Sequence, residues 1–442
     1  MNHSKTNIEM IARTPAETPR KPALAKKSIT TDVLIVGAGP AGAAAAITLA
    51  RAGREVLIID QHVFPRDTIC GDGLIPDALQ ALAQLSVLDQ VRALATPFKG
   101  VTCHGPKGGI LIIYSELAVF PRKALYQLLV QAAITAGATF QTPYRYSHPV
   151  TDGDRTAGAI AQGPSDTLDI KANWTIMATG ATVAAPQSAD HCTRALPSAM
   201  ALRGYVHNPT FKGLNERLHI SWHKSYAPGY GWIFPCPDGV FDIGVGLFGM
   251  HTTGWRHRLV QLPGLGRLRP SKPNLNVLFK LFISTNPLAQ SLMEKGTLMG
   301  DIKDAPLRGS LEGAKPASAG LLVTGEAVGS TYTLTGEDIG KAMETGILAA
   351  QSVLTQLNDA KTIARYETAL NQLTPKFDIY RRANVINHMP WLIELAIKRS
   401  NKSPKLVKRM SLVLEEKANP AKLFTARGSW KFLTDRAVWS YN

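Results

Sequence analysis

Residues 32–60, DVLIVGAGPAGAAAAITLARAGREVLIID, decide how the rest of the chain is arranged. An apolar run, Val33 to Val36, leads directly into Gly37, Gly39 and Gly42, with Pro40 and Ala41 among them. A helix-like stretch of small residues follows, and a second apolar run, Val56 to Ile59, ends at Asp60. This order of strand, glycine-rich turn, helix and strand is a βαβ unit. Gly37 permits a tight turn out of the strand, Gly39 lets backbone approach a pyrophosphate, and Gly42 lets the helix sit close on the sheet. The helix N-terminus offers free N–H groups and the positive end of its dipole to phosphate. Asp60 stands where a carboxylate accepts from ribose hydroxyls. A lone glycine-rich turn is weak evidence. Placed between strand and helix, with an acid at this distance, it reads as a dinucleotide-binding motif.

The chain has 442 residues, 45% hydrophobic and 19% charged, a globular composition with room for two or three structural regions. No apolar run reaches the roughly 18–20 residues that span a bilayer, so no transmembrane helix is expected. Residues 1–31 are polar and lack the apolar core of a secretory signal; they read as a disordered basic tail. Four cysteines, Cys70, Cys103, Cys192 and Cys236, are far apart. That spacing argues against a metal site or a disulfide framework and fits a reducing, cytoplasmic setting. The net charge is +16, of which residues 1–31 carry +4 and residues 396–436 carry +8. Charge concentrated near the two ends reads either as a solvated basic surface or as attraction to anionic lipid headgroups, hence peripheral membrane contact. No nucleic-acid motif accompanies it, and no nucleic-acid partner is expected.

After Asp60 the loop 61–74 contains Phe64-Pro65, Gly71 and Gly73, all marks of irregular backbone. A helix is expected from Asp77, with Leu79, Leu82 and Leu85 on one face. Two short strand-like runs lie around Val101 and Leu111–Tyr114, and a further helix from Lys123 to about Ala136. Residues 138–180 read as a β-meander whose last strand ends at Thr179-Gly180-Ala181. Alternation at 202–206, 218–222, 230–234 and 240–247 reads as a mixed sheet over a substrate cavity, with Pro-containing connections between. The strand Leu321–Thr324, the turn Gly325-Glu326-Ala327 and a helix from Ile339 to Leu354 bring the α/β character back. The tail beyond is helical; its 391–399 stretch has an apolar side ending in Lys398 and Arg399. The expected architecture is α/β (α+β overall): a Rossmann-like dinucleotide-binding domain from 32–195 with 311–357, an inserted mixed β-sheet substrate domain at 196–310, and a helical C-terminal region at 358–442. No second glycine motif stands between a strand and a helix, so a dedicated nicotinamide domain is not expected.

Four segments together resemble the geranylgeranyl reductase family, within the flavoproteins of the para-hydroxybenzoate hydroxylase fold. The first is the dinucleotide motif. The second, Phe64 to Leu74 (FPRDTICGDGL), is similar to that family's FPRDK-x-CGDGL loop. The third, Tyr230-Gly231-Trp232-Ile233-Phe234-Pro235, is similar to its YxWxFP motif. The fourth combines Gly325-Glu326-Ala327, Thr335-Gly336-Glu337 and Ala342 to Gly346, where the family has GDA or GEA, then P-x-TGEGI, then A-x-x-x-G. The resemblance runs from residue 32 to about 350. Thr333 stands where proline is usual and Asp338 where the last glycine of TGEGI is usual. Aspartate there would add bulk and negative charge beside a flavin.

The resemblance implies FAD as cofactor. Gly37, Gly39, Pro40, Ala41 and Gly42 would hold its pyrophosphate and Asp60 its adenosine ribose. Arg122 and Gly180 would contact the dinucleotide, Glu326 the ribityl chain, and Gly336 and Glu337 would lead into a helix N-terminus beside the flavin. From the residues alone the alternative for Arg122 is a surface arginine capping a helix start. Cys70 would lie on the substrate side of the ring; its plain reading is a small buried hydrophobe. Tyr230, Trp232 and Phe234 share one strand face, which alone means core packing; the resemblance makes them a cavity wall. The implied activity is an FAD-dependent reductase that saturates C=C bonds of a prenyl chain on a lipid, quinone or chlorin, with NAD(P)H or reduced ferredoxin as external reductant. Two alternatives stay open: a flavin monooxygenase of an aromatic or polyketide compound, and a non-catalytic flavoprotein subunit. No WxWxIP-like motif of flavin-dependent halogenases is present.

Overall fold

The computed structural model describes residues 25–67, 71–193, 197–214, 216–249, 274–311, 313–355 and 358–418. In chain order the strands are β1 (Ala25–Val36), β2 (Val56–Ile59), β3 (Gly73–Leu74), β4 (Thr96–His104), β5 (Ile110–Val119), β6 (Thr139–Gln141), β7 (Arg145–Asp152) and β8 (Arg155–Gln162). They continue as β9 (Asp166–Met177), β10 (Ala199–His207), β11 (Leu218–Ser221), β12 (Gly229–Pro235), β13 (Val240–Phe248), β14 (Thr297–Leu307), β15 (Ala317–Ser318) and β16 (Leu321–Val323).

The first sheet has the order β15-β16-β9-β1-β2-β6, with the β7–β8 hairpin carried on β9. β1 pairs in parallel with β2 and with β9, Val36 standing opposite Ile59 on one side and Met177 on the other. Both faces of β1 are covered, so its apolar run is continuous rather than alternating. Val33 and Ile35 meet the small residues of the Pro40–Arg51 helix, while Leu34 and Val36 meet Ala159, Ala161 and Ile170 on the opposite face. The chain leaves β1 to place β2 on one side and later returns to place β9 on the other. Strand order therefore reverses at β1, where open α/β sheets form their ligand crevice.

β1 begins earlier than the composition implies. Residues 25–31, expected to belong to a disordered tail, form its first half in register with Asp166–Ala172 of β9. Their charge is used there: Lys26 pairs with Asp169 and Lys27 with Asp166, both at 2.7 Å. Ile29, Thr30 and Thr31 favour extended backbone once a partner strand exists. The rest of that expected tail, residues 1–24, lies outside the described residues.

The second sheet has the order β14-β10-β13-β12-β11-β4-β5-β3. It draws on 73–119 as well as 199–307, since β4 runs parallel to β11 with Val101 opposite Leu218. The strand-like runs that the sequence groups with 32–195 thus complete the sheet that covers the substrate side. The alternation read at 202–206, 218–222, 230–234 and 240–247 corresponds to β10–β13. β14 and the helices Leu275–Thr285 and Pro287–Glu294 occupy ground that reads from sequence as connections. Pro287 opens its helix rather than breaking it, and Asn286 caps it through a 3.0 Å bond from the Ala289 N–H. The helices Asp359–Ala383, Pro390–Ser400 and Pro404–Leu414 close the molecule, with Ile393 and Ile397 packed on Phe98, Val101 and Leu111. Among the described residues no helix is long and apolar enough to cross a membrane.

Candidate active site

The carboxyl ends of β1, β9 and β16 lie side by side, the edge at which open α/β sheets bind their ligands. Gly37 follows β1 at φ +104°, and a Cβ there would sit 2.4 Å from the Ala178 carbonyl oxygen. A Cβ on Gly42 would sit 1.9 Å from the Gly37 oxygen. Turn and helix therefore close on each other only with glycine at both places. The Pro40–Arg51 helix starts with proline at its first turn and no side-chain cap. Ala41 of that turn touches both Gly325 and Gly346, whose missing side chains let the Ile339–Leu354 helix cross it closely. Gly180, just beyond β9, adopts φ +72°. Beside it the Thr179 hydroxyl is buried with no hydrogen-bond partner among the described residues.

Asp60 is buried at the end of β2. Its Oδ2 accepts from the Ala38 N–H at 2.9 Å and its Oδ1 from the His62 N–H at 2.9 Å. It thus braces the glycine-rich turn itself, a job the ribose reading did not include. It also lies 3.7 Å from Arg66, whose guanidinium covers the Tyr126 ring at 4.9 Å and approaches Gly39.

Arg122 is 0% exposed, which overturns its reading as a surface arginine. Its Nη2 donates to Asp338 Oδ1 at 2.6 Å, Nη1 to the Tyr126 hydroxyl at 3.2 Å and Nε to the Gly71 carbonyl at 3.4 Å. One guanidinium ties the 64–74 loop, its own helix and the 335–338 loop together. The negative charge that Asp338 brings where the family has glycine is thereby matched by a cation. Glu326 Oε1 accepts from the Arg308 N–H at 2.9 Å and from the Thr331 hydroxyl at 3.1 Å. Loss of water pushes its carboxyl up to about 8, and Asp338 adds to the shift.

A cavity of about 600 Å³ runs from this loop, Thr335 to Gly340, between the second sheet and the C-terminal helices. Tyr230, Trp232 and Phe234 of β12 line it together. The Tyr230 hydroxyl donates to the Thr335 carbonyl, and its ring stacks on Phe248 at 5.1 Å. Gly336, at φ +70°, fits against the same pair; a Cβ there would lie 3.2 Å from Phe248 and 3.5 Å from the Tyr230 oxygen. Glu337 lines the cavity next to it, and loss of water holds its carboxyl well above the ordinary range. The Trp232 Nε1–H donates to Asp242 Oδ1 at 2.9 Å. Asp242 is itself fully buried; burial pushes it up to about 8, the neighbouring Asp72 adds to this, and Arg203 opposes it. Cys70 lies outside the described residues. No group of His, Cys, Asp and Glu among the described residues could hold a metal ion.

Several of these residues do not stand out in the sequence. Arg66 and Asp72 sit within the quoted 64–74 loop and could have been singled out there. Asp242, Arg203, Arg308 and Asp77 are single charges in otherwise apolar or helical stretches, and a charge inside an apolar strand is the one signal that marks Asp242 and Arg203.

A glycine turn that admits no side chain, a helix N-terminus, an acid at the end of β2 and an unpartnered hydroxyl past β9 suit the pyrophosphate and sugar of a dinucleotide. An apolar cavity is lined by the 335–338 loop and the first turn of the Ile339–Leu354 helix that it leads into. Residues 30–198 match the FAD binding domain model. Menaquinone reductase of Mycolicibacterium smegmatis is 28% identical over 380 residues, covering 82% of this chain and 86% of that protein. Digeranylgeranylglycerophospholipid reductase of Methanosarcina mazei is 24% identical over 341 residues, covering 73% and 74%. The crystal structure of a geranylgeranyl bacteriochlorophyll reductase-like protein from Thermoplasma acidophilum superposes with a TM-score of 0.75 at 20% identity, covering 92% of this chain and 100% of that one. The chain is an FAD-dependent oxidoreductase whose motifs resemble the geranylgeranyl reductase family.

Proposed function

We propose that this enzyme saturates carbon–carbon double bonds in a prenyl chain carried on a lipid, a quinone or a chlorin. The observation that carries this reading is the cavity. It is about 600 Å³, walled by aromatic side chains near the 335–338 loop and by Leu392, Leu395 and Ala396 farther away. An apolar cavity of this size suits a hydrocarbon chain better than a polar molecule. The relatives named for reduction of menaquinone and of digeranylgeranylglycerophospholipid support it.

In this reading Gly37, Gly39, Pro40, Ala41 and Gly42 hold the FAD pyrophosphate and Asp60 the adenosine ribose. Arg122 and Gly180 contact the dinucleotide, Glu326 the ribityl chain, and Gly336 and Glu337 lead into the helix N-terminus beside the flavin. Reduced FAD, when bound, supplies a hydride. An isolated alkene has no carbonyl to polarise, so the protein contributes by position and by excluding water. Tyr230 and Trp232 do this as fixed walls, one anchored to Thr335 and the other to Asp242. The N-terminus of the Ile339–Leu354 helix favours negative charge beside it, and Arg122 keeps Asp338 from cancelling that field. Cys70 steers the substrate from the 64–74 loop. The electrons come from NAD(P)H or a reduced ferredoxin. The Pro390–Ser400 helix lines the cavity on one side, leaves Trp391 58% exposed and ends in Lys398 and Arg399. That arrangement suits delivery of the prenyl group from an anionic membrane surface.

The test is anaerobic incubation of the FAD-loaded, reduced protein with a geranylgeranyl lipid and with menaquinone, read by mass spectrometry. The expected result is a gain of two hydrogens per double bond. A hydroxylated product formed with oxygen consumption would replace this reading by a monooxygenase. Bound flavin with no product under either condition would leave a non-catalytic flavoprotein.

A further inference from the structure

Saturating an alkene takes a proton as well as a hydride, and the side chains assigned above leave the proton without a source. Asp77 is the second residue of the Pro76–Gln84 helix; it is 6% exposed and lines the cavity beside Glu337, Asp338 and Gly340. Its carboxyl lies against the first turn of the Ile339–Leu354 helix so closely that a Cβ on Gly340 would sit 2.3 Å from it. Neither carboxyl oxygen has a hydrogen-bond partner among the described residues.

The bland alternative is that Asp77 merely balances Lys341. The distances favour other partners for that lysine: its ammonium is 2.5 Å from Glu344 and 3.0 Å from Glu416 but 3.8 Å from Asp77. Lys376 joins Glu416 at 2.6 Å. Among the described residues the groups facing Asp77 are thus Lys341 and Glu344 from one helix, Glu337 from the loop before it, Glu416 from beyond the Pro404–Leu414 helix, and the phenols Tyr332 and Tyr380. Four carboxyls share two ammonium groups in a site with little water. Glu337, with no cation at ion-pair distance among the described residues, keeps its proton most firmly, whereas Asp77, 3.8 Å from Lys341, is the cavity-lining carboxyl whose proton loss a cation can stabilise.

We propose that Asp77 is the proton donor of the reaction, giving its carboxyl proton to the alkene carbon that does not receive the hydride; this rests on the reductase reading above. The π bond of the alkene breaks and two C–H bonds form. One takes the hydride that reduced FAD supplies, leaving the cofactor oxidised by two electrons. The other takes the Asp77 proton. The resulting carboxylate is stabilised by Lys341, 3.8 Å away, and regains its proton from solvent. Burial pushes the Asp77 carboxyl up to about 7, with Lys341 opposing and Glu416 and Glu344 adding, so a donor proton is present near neutrality.

Asp77→Asn keeps the shape and removes the proton. Its saturation rate is expected to fall on the order of a hundredfold, the usual weight of a general acid, with FAD affinity and photoreduction unchanged. The wild-type rate should decline as pH rises through about 7, that limb should vanish in Asp77→Asn, and Asp77→Glu should restore part of the rate. Infrared difference titration of the FAD-free protein should show a carboxyl band lost near the same pH and missing from Asp77→Asn. An Asp77→Asn enzyme with wild-type rate and pH limb, or a FAD-free protein with no such band, overturns the assignment while the reductase reading stands. A wild type that saturates no prenyl chain overturns the reductase reading and the donor role with it, whatever the infrared band shows.

Discussion

Replacing Asp338 by glycine, the residue usual at its place in the family, tests whether the Arg122–Asp338 pair is what allows this chain to depart from the pattern. The guanidinium is 0% and the carboxylate side chain 14% exposed, and they meet at 2.6 Å. Removing one member of a buried pair costs about 3–5 kcal/mol, because the other charge stays out of water. Asp338→Gly should fall at the low end, about 3 kcal/mol, since Arg122 keeps the Tyr126 hydroxyl and the Gly71 carbonyl. Loss of a cap adds little: Asp338 precedes the Ile339–Leu354 helix but makes no side-chain capping bond. Arg122→Met alone should cost a similar amount, and the double variant much less than the two together. A coupling energy of about 2–3 kcal/mol is expected. The assay is urea unfolding of the FAD-free protein, followed by tryptophan fluorescence, for wild type, both single variants and the double variant. A coupling below about 0.5 kcal/mol, the scatter of independent sites, would show that the pair does not carry the compensation.

Two further outcomes follow from the same structure. In the FAD-free protein Asp242 holds its proton up to about 8, whereas an unfolded aspartate releases it near 4. The native state therefore binds the extra proton between those values, and its contribution to stability is full below that window and is lost as pH rises toward about 8. Asp242→Asn, which still accepts from Trp232, should flatten the fall of the urea midpoint between about pH 5 and about pH 8; equal slopes in both proteins would refute the assignment. In vesicle flotation the protein should favour anionic over neutral lipid. Replacing Trp391 by Ala with Lys398 and Arg399 by Glu should weaken that binding by about tenfold or more, at ~1 kcal/mol per basic residue. Unchanged flotation would place the membrane contact elsewhere.

What could be read in the chain and what could not divides along contact distance. Gly37, Gly39, Gly42 and Asp60 act within one βαβ unit, so their spacing alone implies their arrangement, and the β10–β13 strands show themselves by local alternation. The pairing of β4 with β11 has no local mark, so 96–119 reads with its neighbours in sequence instead of with the sheet it completes. Residues 25–31 mislead for the same reason: lysines and threonines look like a tail until Asp166 and Asp169 stand opposite them. The buried acids are harder still. Asp72 bonds to Asp242 across 170 positions, and nothing near either residue announces a shared site.

Asp338 shows how the two kinds of information combine. Its identity is visible as a break in a motif, and taken alone it argues for a damaged flavin site. The compensating residue lies 216 positions away, and its own motif position gives no hint that it faces Asp338. Once Arg122 is seen to be fully buried and bonded to Asp338, the break becomes a substitution of one loop anchor for another. Glycine permits a close approach of backbone; the ion pair holds the same loop by a side chain and fixes the first turn of the following helix, against which Asp77 also rests. A change at residue 338 should therefore be felt at Asp77 as well as at the flavin, which makes the pH profile of Asp338→Gly a second reading of both.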